Sequence, residues 1–151
     1  MTDPRGITHR VDADGVLIAV AATAPPVGYL IWALHTKVAF FARLRDTIRE
    51  IVEPMLRGCS TVDFAVIAVM AGIGEEIFFR GALQPVFGNL IVSVFFAVLH
   101  TQTLLSPGVL FLFGVSYALG WVRERYSTTA AVFAHFVYNF IQLGIALTVA
   151  T

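Results

Sequence analysis

Gly74-Glu75-Glu76-Ile77-Phe78-Phe79-Arg80 places three charged side chains inside a segment, Val62 to Leu83, that is otherwise apolar after Asp63 near its start. From Gly81 through Val122 there is no further Asp, Glu, Lys or Arg. The segment is long enough to cross a bilayer as a helix, which satisfies its own backbone hydrogen bonds in lipid. A charge at the bilayer centre costs about 2.5–3.5 kcal/mol on insertion scales, so three together mark a functional site. Glu76 and Arg80 stand four residues apart, share one helix face and can neutralise each other. Glu75 is turned about 100° away and is left to face another helix.

The rest of the chain makes the membrane its natural solvent. Of 151 residues, 58% are hydrophobic and 13% charged, with a mean hydropathy of +0.81; soluble domains carry about 25% charged residues. Apolar stretches fall at Val16–Leu34, Val62–Leu83, Leu90–Leu105, Val109–Val122 and Thr128–Val149. The third and fourth are short for a span and are expected to tilt, or one to be partly re-entrant, with Ser106-Pro107-Gly108 as the turn between them. Pro25-Pro26 should kink the first. Between the first two, Lys37 to Arg57 sets Phe40, Phe41, Leu44, Ile48 and Ile51 against Arg43, Arg45, Arg49 and Glu50 at helical spacing, the pattern of an interfacial helix. The expected fold is all-α: a polytopic transmembrane helix bundle of about five spans plus an interfacial amphipathic helix.

Ten basic and ten acidic residues cancel, which leaves no basic surface for nucleic acid. The single cysteine, Cys59, can form neither an internal disulfide nor a cysteine cluster. The run from Val16 to Ala24 ends in a signal-peptidase-like Ala22-Thr23-Ala24. However, Asp12 and Asp14 spoil its positive flank and the apolar run resumes at Val27, so the segment is expected to stay in the protein. Arg outnumbers Lys nine to one, a composition that fits a bacterial inner-membrane protein. Lys and Arg counts on the two sides are close, so the positive-inside rule selects no orientation.

Two histidines and an asparagine inside the spans stand out next. His100 follows Phe96 by four residues, and His135 precedes Asn139 by four. Measured from the side where the second span ends near Gln84, Glu75 lies roughly 14 Å deep, His100 roughly 15 Å, His135 roughly 11 Å and Asn139 roughly 17 Å. Residues that only pack helices need not share a depth, whereas residues converging on one pocket must. His9 and His35 fall outside this layer.

The pattern Glu-Glu-x-x-x-Arg at Glu75, Glu76 and Arg80, then Phe-x-x-x-His at Phe96 and His100, then His-x-x-x-Asn at His135 and Asn139, resembles the CPBP family. That family, also called Abi, includes the type II CAAX prenyl proteases and bacterial proteins linked to bacteriocin processing and self-immunity. The resemblance covers roughly Thr61 to Ile145 and divides the chain into a peripheral part, 1–60, and a catalytic core, 61–151. It implies an intramembrane endopeptidase acting on a hydrophobic or membrane-anchored peptide, with carboxy-terminal sorting or CAAX-like signals among the substrates. In the roles it implies, Glu75 assisted by His100 deprotonates water, His135 and Asn139 donate to the oxyanion, and Glu76, Arg80 and Phe96 support the site. No cofactor is expected. The alternative is a zinc peptidase with Glu75, His100 and His135 as ligands, although the compact His-Glu-x-x-His arrangement is absent. Two further readings use the same polar layer: an ion relay, for which no inverted repeat is present, and a non-catalytic immunity or peptide-binding protein.

Overall fold

Pro25 and Pro26 do divide the first apolar segment. The structure, a computed structural model, describes residues 13–52, 54, 57–101 and 107–150; His9 and Ser106 lie outside them. Helix α1 (Ala13–Ala21) gives way to α2 (Ala24–His35), whose first turn holds the two prolines. Proline lacks the amide that a first turn leaves unused anyway, so the break falls just before the pair. Thr23 closes the gap by donating its hydroxyl to the Val20 carbonyl at 2.7 Å.

The predicted amphipathic segment is helical in short pieces. A 3-10 turn (Ala39–Phe41), α3 (Ala42–Thr47) and a π turn (Ile48–Val52) follow one another. Phe41 and Ile48 are buried, while Arg43, Arg49 and Glu50 are exposed. Next, Ser60 caps α4 (Thr61–Glu75) through a reciprocal box with Asp63. The Asp63 carboxylate accepts from the Ser60 amide at 2.7 Å, and Ser60 Oγ accepts from the Asp63 amide at 3.3 Å, which satisfies two of the amides a helix start leaves open.

The helix then continues without interruption but winds as a π-helix from Glu76 to Leu83, where the Gln84 amide donates to the Phe79 carbonyl. Helix α5 (Gln84–Thr101) follows, then α6 (Pro107–Arg125) and α7 (Thr128–Ala150). Among the described residues all secondary structure is helical.

Three stretches are long and apolar enough to cross a membrane: Leu17–His35, Thr61–Thr101 and Thr128–Ile145. The second has 41 residues, about 60 Å of helix, or twice the ~30 Å hydrocarbon core. It therefore makes two passes, reversing at Gly88, whose backbone (φ 78, ψ 162) breaks the helix. The rings of Phe79 and Phe96 are 4.9 Å apart, although 17 residues of straight helix would separate them by about 25 Å. Helix α6 adds 19 residues, with Arg123, Glu124 and Arg125 confined to its last turn. The chain is an all-α integral membrane bundle.

The core gathers Leu30 and Leu34 of α2, Ile48, Phe111, Val115 and Leu119 of α6, and Ala134 and Tyr138 of α7. Val62, Met70, Val86, Leu90 and Leu110 point outward, as expected where lipid replaces water. Polar contacts join the π segment and α5 to α6. Gln84 Nε2 donates to the Gly120 carbonyl and to Glu124 Oε1, each at 2.9 Å, and Asn89 Nδ2 donates to the Tyr117 carbonyl at 3.0 Å. Gly120 leaves room for these contacts, because a Cβ would overlap the Asn89 side chain and displace it.

Gly88 combines a positive φ with an extended ψ, a region that is essentially glycine-only and costs other residues about 1–3 kcal/mol. Gly88→Ala is expected to lower the thermal unfolding midpoint in detergent. Gly144→Ala, inside α7 where a Cβ meets open space, should leave it unchanged or slightly raised, because alanine is the better helix former.

Candidate active site

Glu75 is the last residue of α4 and Glu76 the first of the π segment, so the change in winding falls between the two carboxylates. Such π turns are frequent at functional sites. Glu76 and Arg80 are both fully buried, with Glu76 Oε2 at 3.2 Å from Arg80 Nε. The expected pair is therefore present. The guanidinium also lies over the Phe96 ring, 5.2 Å from its centroid, within cation–π range.

Gly72 packs against α7, where a Cβ would lie in ordinary contact, 3.4 Å from the Phe136 nitrogen and 3.5 Å from the Val132 carbonyl. At this crossing of α4 and α7 His135 meets both glutamates. His135 Nδ1 is 2.8 Å from Glu76 Oε1, and its Nε2 is 3.7 Å from Glu75 Oε2. The Gly88 reversal carries His100 back to the same place, with Nε2 3.6 Å from Glu75 Oε1. One carboxylate thus faces two imidazoles, one on each oxygen.

Each ring is held from behind by a different acceptor. His100 Nδ1 donates to the Phe96 carbonyl at 2.8 Å, and the His100 ring stacks on Phe96 with centroids 4.1 Å apart at 22°. His135 Nδ1 donates to the Glu76 carboxylate. Carbonyls and carboxylates only accept, so both Nδ1 atoms carry hydrogen and both Nε2 atoms are presented to Glu75. The Nε2–oxygen separations exceed a direct hydrogen bond of about 2.7–3.2 Å. They are short enough for a water or a substrate oxygen to contact all three groups. Glu75 and His100 keep 28% and 35% of their side chains exposed, whereas His135 keeps 2%, so the site opens on the Glu75–His100 side.

The structure therefore brings together Glu75, Glu76, Arg80, Phe96, His100 and His135. Asn139 lies one turn beyond His135 on α7, half-buried, and its side chain forms no hydrogen bond among the described residues. His35 stays apart, its ring bonded to the Ile31 carbonyl at 2.8 Å. Two features were not legible from the motifs. Glu76 serves His135 as well as Arg80, and Ser116 of α6 accepts from Arg80 Nη2 through its carbonyl at 2.9 Å and its hydroxyl at 3.1 Å. A four-residue rhythm does link Arg80 and Gln84 with Ser116, Gly120 and Glu124, but only contact distances show that the two series meet. An apolar cleft of ≈ 380 Å³ between α2 and α6, lined by Pro25, Tyr29, Phe111 and Trp121, contains none of the predicted catalytic residues.

A carboxylate and two imidazoles held inside a bundle of membrane-spanning helices can bind and polarise a water, as an intramembrane hydrolase requires. The sequence agrees: residues 58–141, more than half of the chain, match the Rce1-like type II CAAX prenyl endopeptidases. The chain belongs to that family of CAAX-type membrane endopeptidases. No curated protein and no solved structure matches it.

The two glutamates should respond differently to the same change. Removing one partner of a buried ion pair costs about 3–5 kcal/mol, so Glu76→Gln is expected to lower the unfolding midpoint strongly. Glu75→Gln, at a partly open position, should leave it nearly unchanged. Differential scanning fluorimetry in detergent compares them, and equal losses would contradict the assignment.

Proposed function

We propose that the protein hydrolyses a peptide bond of a hydrophobic or membrane-anchored substrate with water activated by Glu75 and His100, without a metal. The observation that carries this reading is the Glu75 carboxylate set between two Nε2 atoms at 3.6 and 3.7 Å. Two carboxylates and one guanidinium leave one negative charge uncompensated in an apolar layer. A proton shared among Glu75, His100 and His135 neutralises it and is available for chemistry.

The two imidazoles take different parts because their backing differs. A neutral carbonyl behind His100 holds that ring in the tautomer whose Nε2 accepts a proton. The Glu76 carboxylate behind His135 supports an imidazolium, as the aspartate of a serine-protease triad does, so His135 Nε2 can donate. Glu75 takes a proton from water, and the oxygen attacks the carbonyl carbon. His135 and Asn139 donate to the developing oxyanion, a type of contact that accounts for a large share of acyl-transfer catalysis. As the C–N bond breaks, the proton held at Glu75 passes to the leaving amine. The proposed setting is a bacterial inner membrane, and the proposed substrates carry carboxy-terminal sorting or CAAX-like signals.

One observation favours a second reading. Histidines that bind zinc donate their other ring nitrogen to a carboxylate or a backbone carbonyl, as His135 and His100 do here. Glu75, His100 and His135 would then hold the ion and leave a position for water, and a bound zinc would supply an acidified water. The donor chemistry fits. The three side chains do not form a preassembled ligand group, so an ion would have to draw them together.

Glu75→Gln and His100→Ala are expected to abolish cleavage of a reconstituted peptide substrate while the protein stays folded. Asn139→Ala should lower turnover roughly a hundredfold, by analogy with losing one oxyanion donor. Near-normal turnover would remove Asn139 from the mechanism.

The metal question has its own assay. Protein stripped of metal should keep its activity in the presence of a chelator, with no stoichiometric zinc recovered by elemental analysis. Loss on chelation and recovery with zinc would replace the metal-free mechanism with the second reading.

A further inference from the structure

The buried face of α6 consists of Phe111, Val115, Leu119 and Val122, and among the described residues its one buried polar side chain is Ser116, 1% exposed. A hydroxyl kept in that apolar row needs a partner, and its partner is Arg80. Nη2 donates to the Ser116 carbonyl at 2.9 Å and to Oγ at 3.1 Å. Arg80 Nη1 has no hydrogen-bond partner, so among the described residues Ser116 is the guanidinium's one hydrogen-bonded anchor across the bundle. The carbonyl also belongs to the helix's own ladder, whereas the hydroxyl is an acceptor that the ladder does not claim.

From Ser116 a chain of contacts runs to the reacting groups. Arg80 Nε meets Glu76 Oε2 at 3.2 Å, Glu76 Oε1 accepts from His135 Nδ1 at 2.8 Å, and His135 Nε2 faces Glu75. Anchoring Arg80 on its far side fixes the plane in which its Nε meets Glu76. That in turn fixes which carboxylate oxygen remains for His135. The geometry points to Ser116 as a positioning residue that, through Arg80, keeps Glu76 Oε1 in place as the acceptor for His135 Nδ1–H. This rests on the reading of His135 as the donor to the oxyanion. Without the hydroxyl the guanidinium can turn toward Glu76 and engage both oxygens, as arginine–carboxylate pairs prefer. Glu76 Oε1 is then drawn from His135, and the Nδ1 proton loses its acceptor.

Threonine and valine at position 116 nearly match in shape and differ in the hydroxyl. Protein labelled with nitrogen-15 histidine, in detergent micelles, reports the Nδ1–H hydrogen bond through the shifts of that nitrogen and its proton, with His135 signals assigned by their loss in His135→Ala. Ser116→Thr should keep the hydrogen-bonded Nδ1–H signal and a kcat within about threefold of the parent. Ser116→Val should shift or broaden that signal as the bond to Glu76 weakens and lower kcat by roughly tenfold with KM unchanged. Ser116→Ala removes the hydroxyl without adding bulk and is read in the same way. Identical His135 signals in folded Thr and Val variants would overturn the proposal. So would loss of fold in both the Val and Ala variants with Thr intact, which would make Ser116 a stability residue only. The nitrogen signals are read without substrate. Absence of cleavage by the parent protein therefore refutes the peptidase reading and leaves the hydrogen-bond test standing.

Discussion

The Glu76–Arg80 pair, both members fully shielded from solvent, is the constraint to which the rest of the site is fitted. Neither charge is tolerable alone at that depth. Even paired, each keeps valences that the other cannot fill. Arg80 spends its surplus on Ser116 and on the Phe96 ring, and Glu76 spends its surplus on His135. Satisfying one buried pair thus ties the π segment to α5, α6 and α7 together. A salt bridge that contributes little net stability still specifies how four helical elements meet.

That arrangement explains how two chemically identical histidines can do different work. His100 is the more exposed and is backed by a carbonyl; His135 is buried and backed by a carboxylate. In the proposed mechanism the difference in backing, not in the rings, separates a proton acceptor from a proton donor. Phe96 contributes to both sides of the division. Its carbonyl holds His100, its ring stacks on His100, and the same ring lies beneath the Arg80 guanidinium. The aromatic of the Phe-x-x-x-His motif is therefore part of the electrostatics of the site as well as its packing.

Glycines set the distances on which these contacts depend. Gly88 returns α5 alongside the π segment, and Gly120 admits Asn89 and Gln84 against α6. Each acts through a missing Cβ or a permitted backbone angle, and neither carries chemistry. The outer faces of α4 and α5 show the complementary rule, with Val66, Met70, Leu90 and Ile91 turned out to lipid.

The sequence by itself determined the class of fold and which charged side chains and histidines of the spans meet. Hydropathy and span length dictate helices in lipid. Charges confined to Glu75, Glu76 and Arg80, with His100 and His135 at matching depth, identify which side chains must converge, because isolated polar groups there are too costly to leave unpartnered. The four-residue step from Glu76 to Arg80 fixed their pairing, and the face of Glu75 followed from its offset. Tertiary structure alone decided the rest. The second and third spans join as one 41-residue helical stretch, and its reversal at Gly88 depends on a backbone angle that no hydrophobic pattern records. The π winding after Glu75, the second bond of Glu76 to His135 and the reach of Arg80 to Ser116 arise from contacts between helices distant in sequence. Periodicity describes which way a residue points on its own helix; only the packing of one helix on another decides what it meets there.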